Sequence, residues 1–133
     1  MARVVIEMSC SEIKAQPDIR LRAYEYALRA IKLYVFLQRR RDGAGLILGK
    51  QCLRAATSVG ANIEEAQASE SRADFIHKMG IAQKEARESL YWLRLIADSQ
   101  LGSASRLRPL IQASQEIVAV VTSIVVNSKR RRP

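Results

Sequence analysis

The chain has 133 residues and a mass of 14.9 kDa, which is the size of a single domain. Its content of 48% hydrophobic and 26% charged residues predicts a soluble globular protein and excludes a disordered one, while the 5% aromatic content favours helices over strands. The net charge of +9 makes the chain strongly basic, and the absence of a secretory signal or an uninterrupted apolar run of about 18–20 residues predicts a cytoplasmic protein without a membrane partner.

Residues 1–16 show no regular pattern, and we interpret them as an N-terminal arm. Pro17 and Asp18 are typical of the first turn of a helix. From there apolar residues recur at steps of three and four up to about residue 41. We predict that this stripe faces the core; its members are Leu21, Tyr24, Leu28, Ile31, Val35 and Leu37.

A glycine-containing turn at residues 42–45 ends the first predicted helix, with a glycine suited to the left-handed position after it. The second helix, rich in small residues, is predicted over 45–67. Ser71 followed by Asp74 indicates an N-cap for a third helix over 72–98, and Gly102 is the expected stop signal.

The fourth helix is predicted over 105–128. Its N-cap is Ser103 or Ser105, and we prefer Ser105 because Pro109 then falls in the first turn, where a missing N–H is harmless. The β-branched run at 117–126 could be a strand if considered alone, but the periodicity around it indicates a helix.

These elements predict an all-α, up-down-up-down bundle of four helices at about 18–41, 45–67, 72–98 and 105–128. The bundle would span residues 17–128, between the arm and a basic tail at 129–133. Because the first and fourth helices end at opposite poles, we expect their basic ends to lie about 30 Å apart.

The positive charge is confined to the two ends of the sequence. Residues 42–128 carry nine basic and nine acidic residues, so the excess lies in residues 1–41 and in the tail. Such clusters attract phosphate backbones, although cations at the end of a helix also complement its dipole. The candidate nucleic-acid residues are Arg39, Arg40, Arg41, Lys129, Arg130, Arg131 and Arg132.

Several segments carry a resemblance to a known family. They are LRAATSVGANIEEA at 53–66, SRADFIHK at 71–78, ARESLYWLRL at 86–95 and the turn RDGAG at 41–45. Together they resemble the four helix bundle protein family, also called S23 or 23S rRNA-intervening sequence proteins, over residues 18–127. The arm and the tail lie outside this pattern.

The resemblance implies a small bacterial four-helix bundle that assembles into a ring-shaped homopentamer. More distantly, the chain is similar to the accessory variability protein of diversity-generating retroelements, a basic pentamer that binds a reverse transcriptase and RNA. RNA or a nucleic-acid-processing protein is therefore an expected partner, although this analogy rests on the fold alone.

Within the signature, Ser58, Asn62 and Glu65 share one helical face. We interpret them as a polar network that fixes helix register, with Asn62 bridging two helices and Arg87, Lys78 or Lys84 as partners of Glu65. A contact to RNA or to another subunit is the alternative.

The sequence offers no basis for catalysis. His77 is the only histidine, Cys10 and Cys52 are the only cysteines, and no phosphate-binding glycine loop or nucleophile elbow occurs. We therefore expect no catalytic residue, no metal and no cofactor.

Two functions remain open: an oligomeric RNA-binding bundle, or a protein–protein adaptor without a nucleic-acid role. Oligomer formation has support apart from the resemblance. The first and fourth helices carry apolar residues on more than one face, and a second apolar face predicts a partner. The residues off the main stripes are Tyr26, Leu33, Phe36, Val125 and Val126.

Overall fold

The computed structural model describes residues 18–130, which form four α-helices and, within that range, no strand. They are α1 (Ile19–Arg40), α2 (Gly43–Gln67), α3 (Arg72–Asp98) and α4 (Ala104–Arg130). Every predicted helix is confirmed to within two residues at each end, and the β-branched run at 117–126 is helical. The predicted arm, Pro17, Arg131 and Arg132 lie outside the described residues.

The helices are joined by short connections and pack in sequence order around one core, as predicted for an up-down-up-down bundle. Each helix contacts the next, and α1 closes the arrangement against α4. The contact between α2 and α3 is the most extensive, whereas the contact between α1 and α4 is the thinnest. This thin side positions the groove described below.

Three helices begin with a side-chain cap. The Asp18 Oδ1 accepts from the Arg20 N–H at 2.9 Å, and the Asp42 Oδ1 accepts from the Gly45 N–H at the same distance. The predicted cap Ser71 is confirmed, because its Oγ accepts from the Asp74 N–H at 3.0 Å. Each bond satisfies a backbone donor that the helix itself leaves free.

The expected glycine stop signals were wrong. The left-handed residues are Arg41, with φ of 57°, and Gln100, with φ of 59°, and no described glycine has a positive φ. Gly43 is instead the first residue of α2. The two-residue connection leaves Gly43 no room outside α2, because Asp42 already occupies the cap position.

The preferred N-cap of α4, Ser105, was also wrong, and the alternative Ser103 is the residue that precedes the helix. The helix begins at Ala104, and the Ser103 carbonyl accepts from the Leu107 N–H at 3.0 Å, which places Ser105 inside the helix. Pro109 therefore lies in the second turn, where it cannot donate to the Ser105 carbonyl. Its exposed position lets water reach that carbonyl.

The core-facing side of α1 is the opposite of the predicted one. The residues of α1 that are fully buried are Ile19, Ala23, Tyr26, Ala30 and Leu37. Of the predicted stripe only Leu37 is buried; the other five side chains are exposed. Small residues favour the burial of this face, because they let α1 and α2 approach closely. At Gly60 of α2, a Cβ would lie 3.7 Å from the Ala23 Cβ.

A buried polar network crosses the core. The Tyr26 hydroxyl lies 2.8 Å from the Ser89 Oγ of α3 and 3.0 Å from the Ser114 Oγ of α4. Ser89 also donates to the Ala86 carbonyl at 2.8 Å. Burial raises the pKa of Tyr26 to about 12 and that of the neighbouring Cys52 thiol to about 12. Each group is therefore uncharged at neutral pH.

Among the described helices, α4 alone is long and apolar enough, by length and composition, to cross a membrane. The sequence of α4 contains no uninterrupted apolar run of that length, because Gln112, Ser114, Gln115 and Glu116 divide it. A core helix of a soluble bundle meets the same criteria. α4 contributes Leu107, Leu110, Ile117, Val121 and Ile124 to the core shared by all four helices.

Candidate nucleic-acid interface

Exposed arginines gather at the end of the bundle where α1 ends and α4 begins. Arg39, Arg40 and Arg41 complete α1 and its cap, and Arg106 and Arg108 lie in the first turns of α4. We call these five residues the basic pole. The two arginines of α4 were missed because they form no run in the sequence, although the predicted topology already brings the start of α4 to this end.

The charge of the basic pole is only partly offset by nearby acids. None of the ion pairs described within residues 18–130 involves its five arginines. Of the carboxylates in that range, Asp42 and Asp98 lie at this end, and Asp42 is used to cap α2. The Arg40 guanidinium lies over the Phe36 ring, 5.8 Å from its centroid, which holds this cation near the apolar surface.

The opposite pole differs, although it carries the described part of the basic tail. Lys129 and Arg130 are exposed in the last turn of α4. Nearby, Arg20 binds Glu64 at 2.8 Å, and Lys78 binds Glu65 at 2.8 Å.

These bonds shift the pKa values of the groups that they join. The hydrogen bond from Arg20 lowers the pKa of Glu64 and raises that of Arg20, and the hydrogen bond to Glu65 raises the pKa of Lys78. Arg20 and Lys78, at this pole, are thus paired with acids. Within residues 18–130 the two poles therefore differ in their ion pairs, since the basic pole has none described and the opposite pole has two.

A groove of about 540 Å³ opens between α1 and α4, beside the basic pole. Its walls come from Arg29–Arg39 of α1 and from residues 102–110, which lead into α4 and form its first turns. In the described part of the chain, no carboxylate lines it. Its apolar and basic lining side chains are Arg29, Ile31, Lys32, Leu33, Val35, Phe36, Arg39, Arg106, Leu107 and Leu110. The groove follows from the thin packing of α1 against α4.

The predicted polar network of α2 is more local than expected. The Asn62 Nδ2 donates to the Ser58 carbonyl at 2.9 Å and to the Ser58 Oγ at 3.1 Å, so its described bonds stay within α2 instead of bridging helices. Glu65 binds Lys78. Arg87 is exposed, and none of the described contacts joins it to Glu65.

Carboxylates on the α2–α3 side serve as ion-pair partners. Arg54 donates to both Glu85 and Glu88, and the indole N–H of Trp92 donates to Glu88 at 2.9 Å. Tyr91 packs edge-on against Trp92, with ring centroids 5.2 Å apart. Within residues 18–130, no group of three His, Cys, Asp or Glu side chains could hold a metal ion.

The outer face of α1 carries a continuous exposed apolar seam. Its five side chains are between 36% and 64% exposed and follow one another at steps of three, four, three and four residues: Leu21, Tyr24, Leu28, Ile31 and Val35. We call this face the α1 seam. Such spacing keeps all five on one line along the helix, as in the contact line of a coiled coil. Its last two members also line the groove.

Comparisons with known proteins agree on one family. The model of a family described as 23S rRNA-intervening sequence protein matches residues 8–123. A crystal structure of a protein of unknown function from the S23 ribosomal protein family of Bacteroides thetaiotaomicron is 38% identical, with a TM-score of 0.75. The match covers 80% of this chain and 97% of that one. None of the curated proteins compared with the chain matches it.

Proposed function

We propose that this chain, which belongs to the 23S rRNA-intervening sequence protein family, is a non-enzymatic homo-oligomeric scaffold that binds RNA or a ribonucleoprotein. The observation that carries the proposal is the basic pole, whose five arginines take part in none of the ion pairs described within residues 18–130. The residues proposed to contact RNA are Arg39–Arg41, joined by Arg106 and Arg108. The basic tail, Lys129–Arg132, is a second proposed contact at the opposite end.

The chemistry of the basic pole suits the phosphate backbone. Five guanidinium groups without described acid partners can each donate to phosphate oxygens, and arginine does so with two parallel hydrogen bonds. The basic pole consists of arginines alone, so it contributes no aromatic ring that could stack on unpaired bases. We therefore propose binding that depends on charge and shape more than on base sequence.

The α1 seam supports self-association. Five exposed apolar side chains on one helix face are more than an isolated bundle needs, and covering them would remove apolar surface from water. Ile47 of α2 and Tyr91 of α3 are also exposed, at 66% and 55%. A contact between the α1 seam of one copy and such residues of the next would be head-to-tail, which generates a closed ring when the rotation between neighbours permits it. The resemblance to the family suggests five subunits.

A salt titration tests RNA binding. A fluorescein-labelled 20-nucleotide single-stranded RNA is titrated with the full-length protein between 50 and 250 mM KCl, and binding is followed by fluorescence anisotropy. The double variant Arg40→Gln/Arg41→Gln should bind more weakly. Its slope of log affinity against log salt should be smaller by about 1.4, because each phosphate contact on a single strand contributes about 0.7.

A control of equal charge is Lys84→Gln/Arg87→Gln, whose two residues are exposed on α3 away from both poles. It should retain the slope of the natural protein. Truncation after Ser128 tests the tail in the same way. Absence of binding even at 50 mM KCl, or equal losses in both double variants, would show that the basic pole is not an RNA interface.

The alternative is an adaptor that binds only proteins. Its support is the exposed apolar surface, and its distinguishing property is resistance to salt, since apolar contacts do not depend on counterion release. Purification from the native host without nuclease, followed by identification of co-purifying RNA and protein at 100 and 500 mM salt, separates the two functions.

A further inference from the structure

We propose that the groove between α1 and α4 binds an acidic amphipathic helix of a partner protein. The floor and the rim of the groove differ in chemistry. Its floor is formed by half-buried and buried apolar side chains from both helices: Leu33, Phe36, Leu107 and Leu110. Its rim is formed by four cations: Arg29, Lys32, Arg39 and Arg106. This inference does not depend on RNA binding by the basic pole.

The dimensions of the groove fit a short helical segment. Its α1 wall runs from Arg29 to Arg39, which at the rise of an α-helix is about 15 Å. Apolar residues at positions i, i+4 and i+7 of a ligand helix span about 10 Å, so three anchors fit along the floor. The two walls are themselves helices, which leave a furrow suited to a third.

The rim specifies the charge of the partner. Four cations surround the apolar floor, and of residues 18–130 no carboxylate lines the groove. None of the ion pairs described for residues 18–130 involves these four side chains. Glutamates flanking the apolar face of a ligand helix would find opposite charges on both sides of the groove. A basic helix would meet like charges, so the rim selects against it.

The floor favours a peptide over RNA. Three of its four residues are leucines, and the fourth, Phe36, has the Arg40 guanidinium over its ring at 5.8 Å. Single-stranded RNA is held in apolar sites by stacking of bases on free aromatic faces. Leucine side chains provide no such face, whereas they pack well against the aliphatic side chains of a helix.

The test uses the full-length protein and three fluorescent probes. The first is a 14-residue peptide with leucines at i, i+4 and i+7 and glutamates beside them. The second carries lysines in place of the glutamates, and the third is the single-stranded RNA used above. The glutamate peptide should bind at micromolar concentration, and the lysine peptide should not bind detectably.

Variants of the two parts of the groove locate the binding. Arg29→Glu/Arg106→Glu reverses two rim charges and should weaken the glutamate peptide about tenfold or more. Leu33→Gln makes the floor polar, and Ser103→Trp fills the groove from its exposed edge; each should weaken the same peptide about fivefold or more. Arg130→Glu, at the opposite pole, is the control and should leave peptide binding unchanged. Circular dichroism verifies that each variant is folded.

Several results would overturn the proposal. Equal binding of the lysine peptide would remove the charge selectivity on which it rests. Unchanged binding in both Leu33→Gln and Ser103→Trp would show that the peptide does not bind in the groove. Weaker RNA binding in these two variants, with competition between RNA and peptide, would assign the groove to RNA. If the peptide binds only when the protein is diluted enough to dissociate into single copies, a second copy of the chain occupies the groove instead.

Discussion

The Tyr26 hydroxyl of α1 lies 2.8 Å from the Ser89 Oγ of α3, across the diagonal of the bundle. Consecutive helices pack side by side, but this bond joins two helices that are not neighbours in that order. With Ser114 of α4 at 3.0 Å, it ties three helices together through polar groups in an otherwise apolar core. Because these groups satisfy one another only in this arrangement, the network specifies how the helices are paired and aligned.

Removal of the tyrosine hydroxyl should destabilise the bundle. In Tyr26→Phe the Ser114 Oγ loses its described side-chain partner while it stays buried, whereas Ser89 keeps its bond to the Ala86 carbonyl. We expect a loss of about 1–3 kcal/mol in the free energy of unfolding, measured by urea denaturation. The control Tyr24→Phe removes an exposed hydroxyl from the same helix and should change stability by less than about 0.5 kcal/mol. Equal effects of the two changes would contradict a role for the network.

Stability should fall in alkaline solution for a specific reason. Burial raises the pKa of Cys52 from 9.0 to about 12 and that of Tyr26 from 10.0 to about 12. Between these values the unfolded chain loses protons that the folded chain retains, so the stability present below pH 9 decreases as the pH rises.

For Cys52 alone, the free energy of unfolding should be about 1 kcal/mol lower at pH 10 than at pH 8. Urea denaturation at a series of pH values measures this slope. Cys52→Ala should flatten it between pH 9 and 10, and Tyr26→Phe should flatten it at higher pH, whatever each change does to stability at pH 8. Parallel curves for the natural protein and both variants would contradict the assignment.

Two glycines inside helices should respond to alanine in opposite directions. A Cβ on Gly80 of α3 would meet nothing within 4 Å, so Gly80→Ala should stabilise the protein by about 0.5–1 kcal/mol. A Cβ on Gly49 of α2 would lie 2.9 Å from the Leu37 Cδ1 and 3.4 Å from the Tyr34 Cδ1. Gly49→Ala should therefore cost about 1 kcal/mol despite its better helix propensity. Thermal denaturation should give a higher melting temperature for Gly80→Ala, and a lower one for Gly49→Ala, than for the natural protein.

Disruption of the α1 seam should dissociate the proposed oligomer without unfolding the chain. Leu21→Glu/Leu28→Glu places two charges on exposed positions that do not line the groove. Multi-angle light scattering at several concentrations should show a fall in mass towards 14.9 kDa. The matched control Gln112→Glu/Gln115→Glu adds the same charge to exposed positions of α4 and should keep the mass of the natural protein. A natural protein that is monomeric at every concentration would refute self-association.

Helix boundaries were predictable because local chemistry determines them. Ser71 and Asp74 mark the start of α3 in the sequence, and the bond between them is the cap that the structure contains. Turn conformations were harder, since Arg41 and Gln100 take the left-handed positions although glycines are available nearby. The cost of positive φ at these residues is small enough for the surrounding packing to offset it.

The orientation of α1 was not predictable from hydrophobicity alone. Two of its faces are apolar, and the larger side chains of Leu21, Tyr24 and Leu28 made the outer face appear to be the core. The buried face is chosen by shape and by hydrogen bonding, through close approach at Ala23 and through partners of Tyr26 on two other helices. Neither feature is visible until the helices are assembled. The groove likewise depends on assembly, because its rim combines residues 67 to 77 positions apart in the chain, Arg29 and Arg39 with Arg106.

The positions of the basic pole and the basic tail have a consequence for how the molecule meets a partner. The five arginines of the basic pole lie where α4 begins, and the sequence of the basic tail continues from where α4 ends, so cations are concentrated towards both ends of the bundle. In the field of a polyanion such a molecule is attracted through either end before contact. If copies assemble side by side in the same direction, the cations of each end come together, and one polyanion can bridge two assemblies end to end.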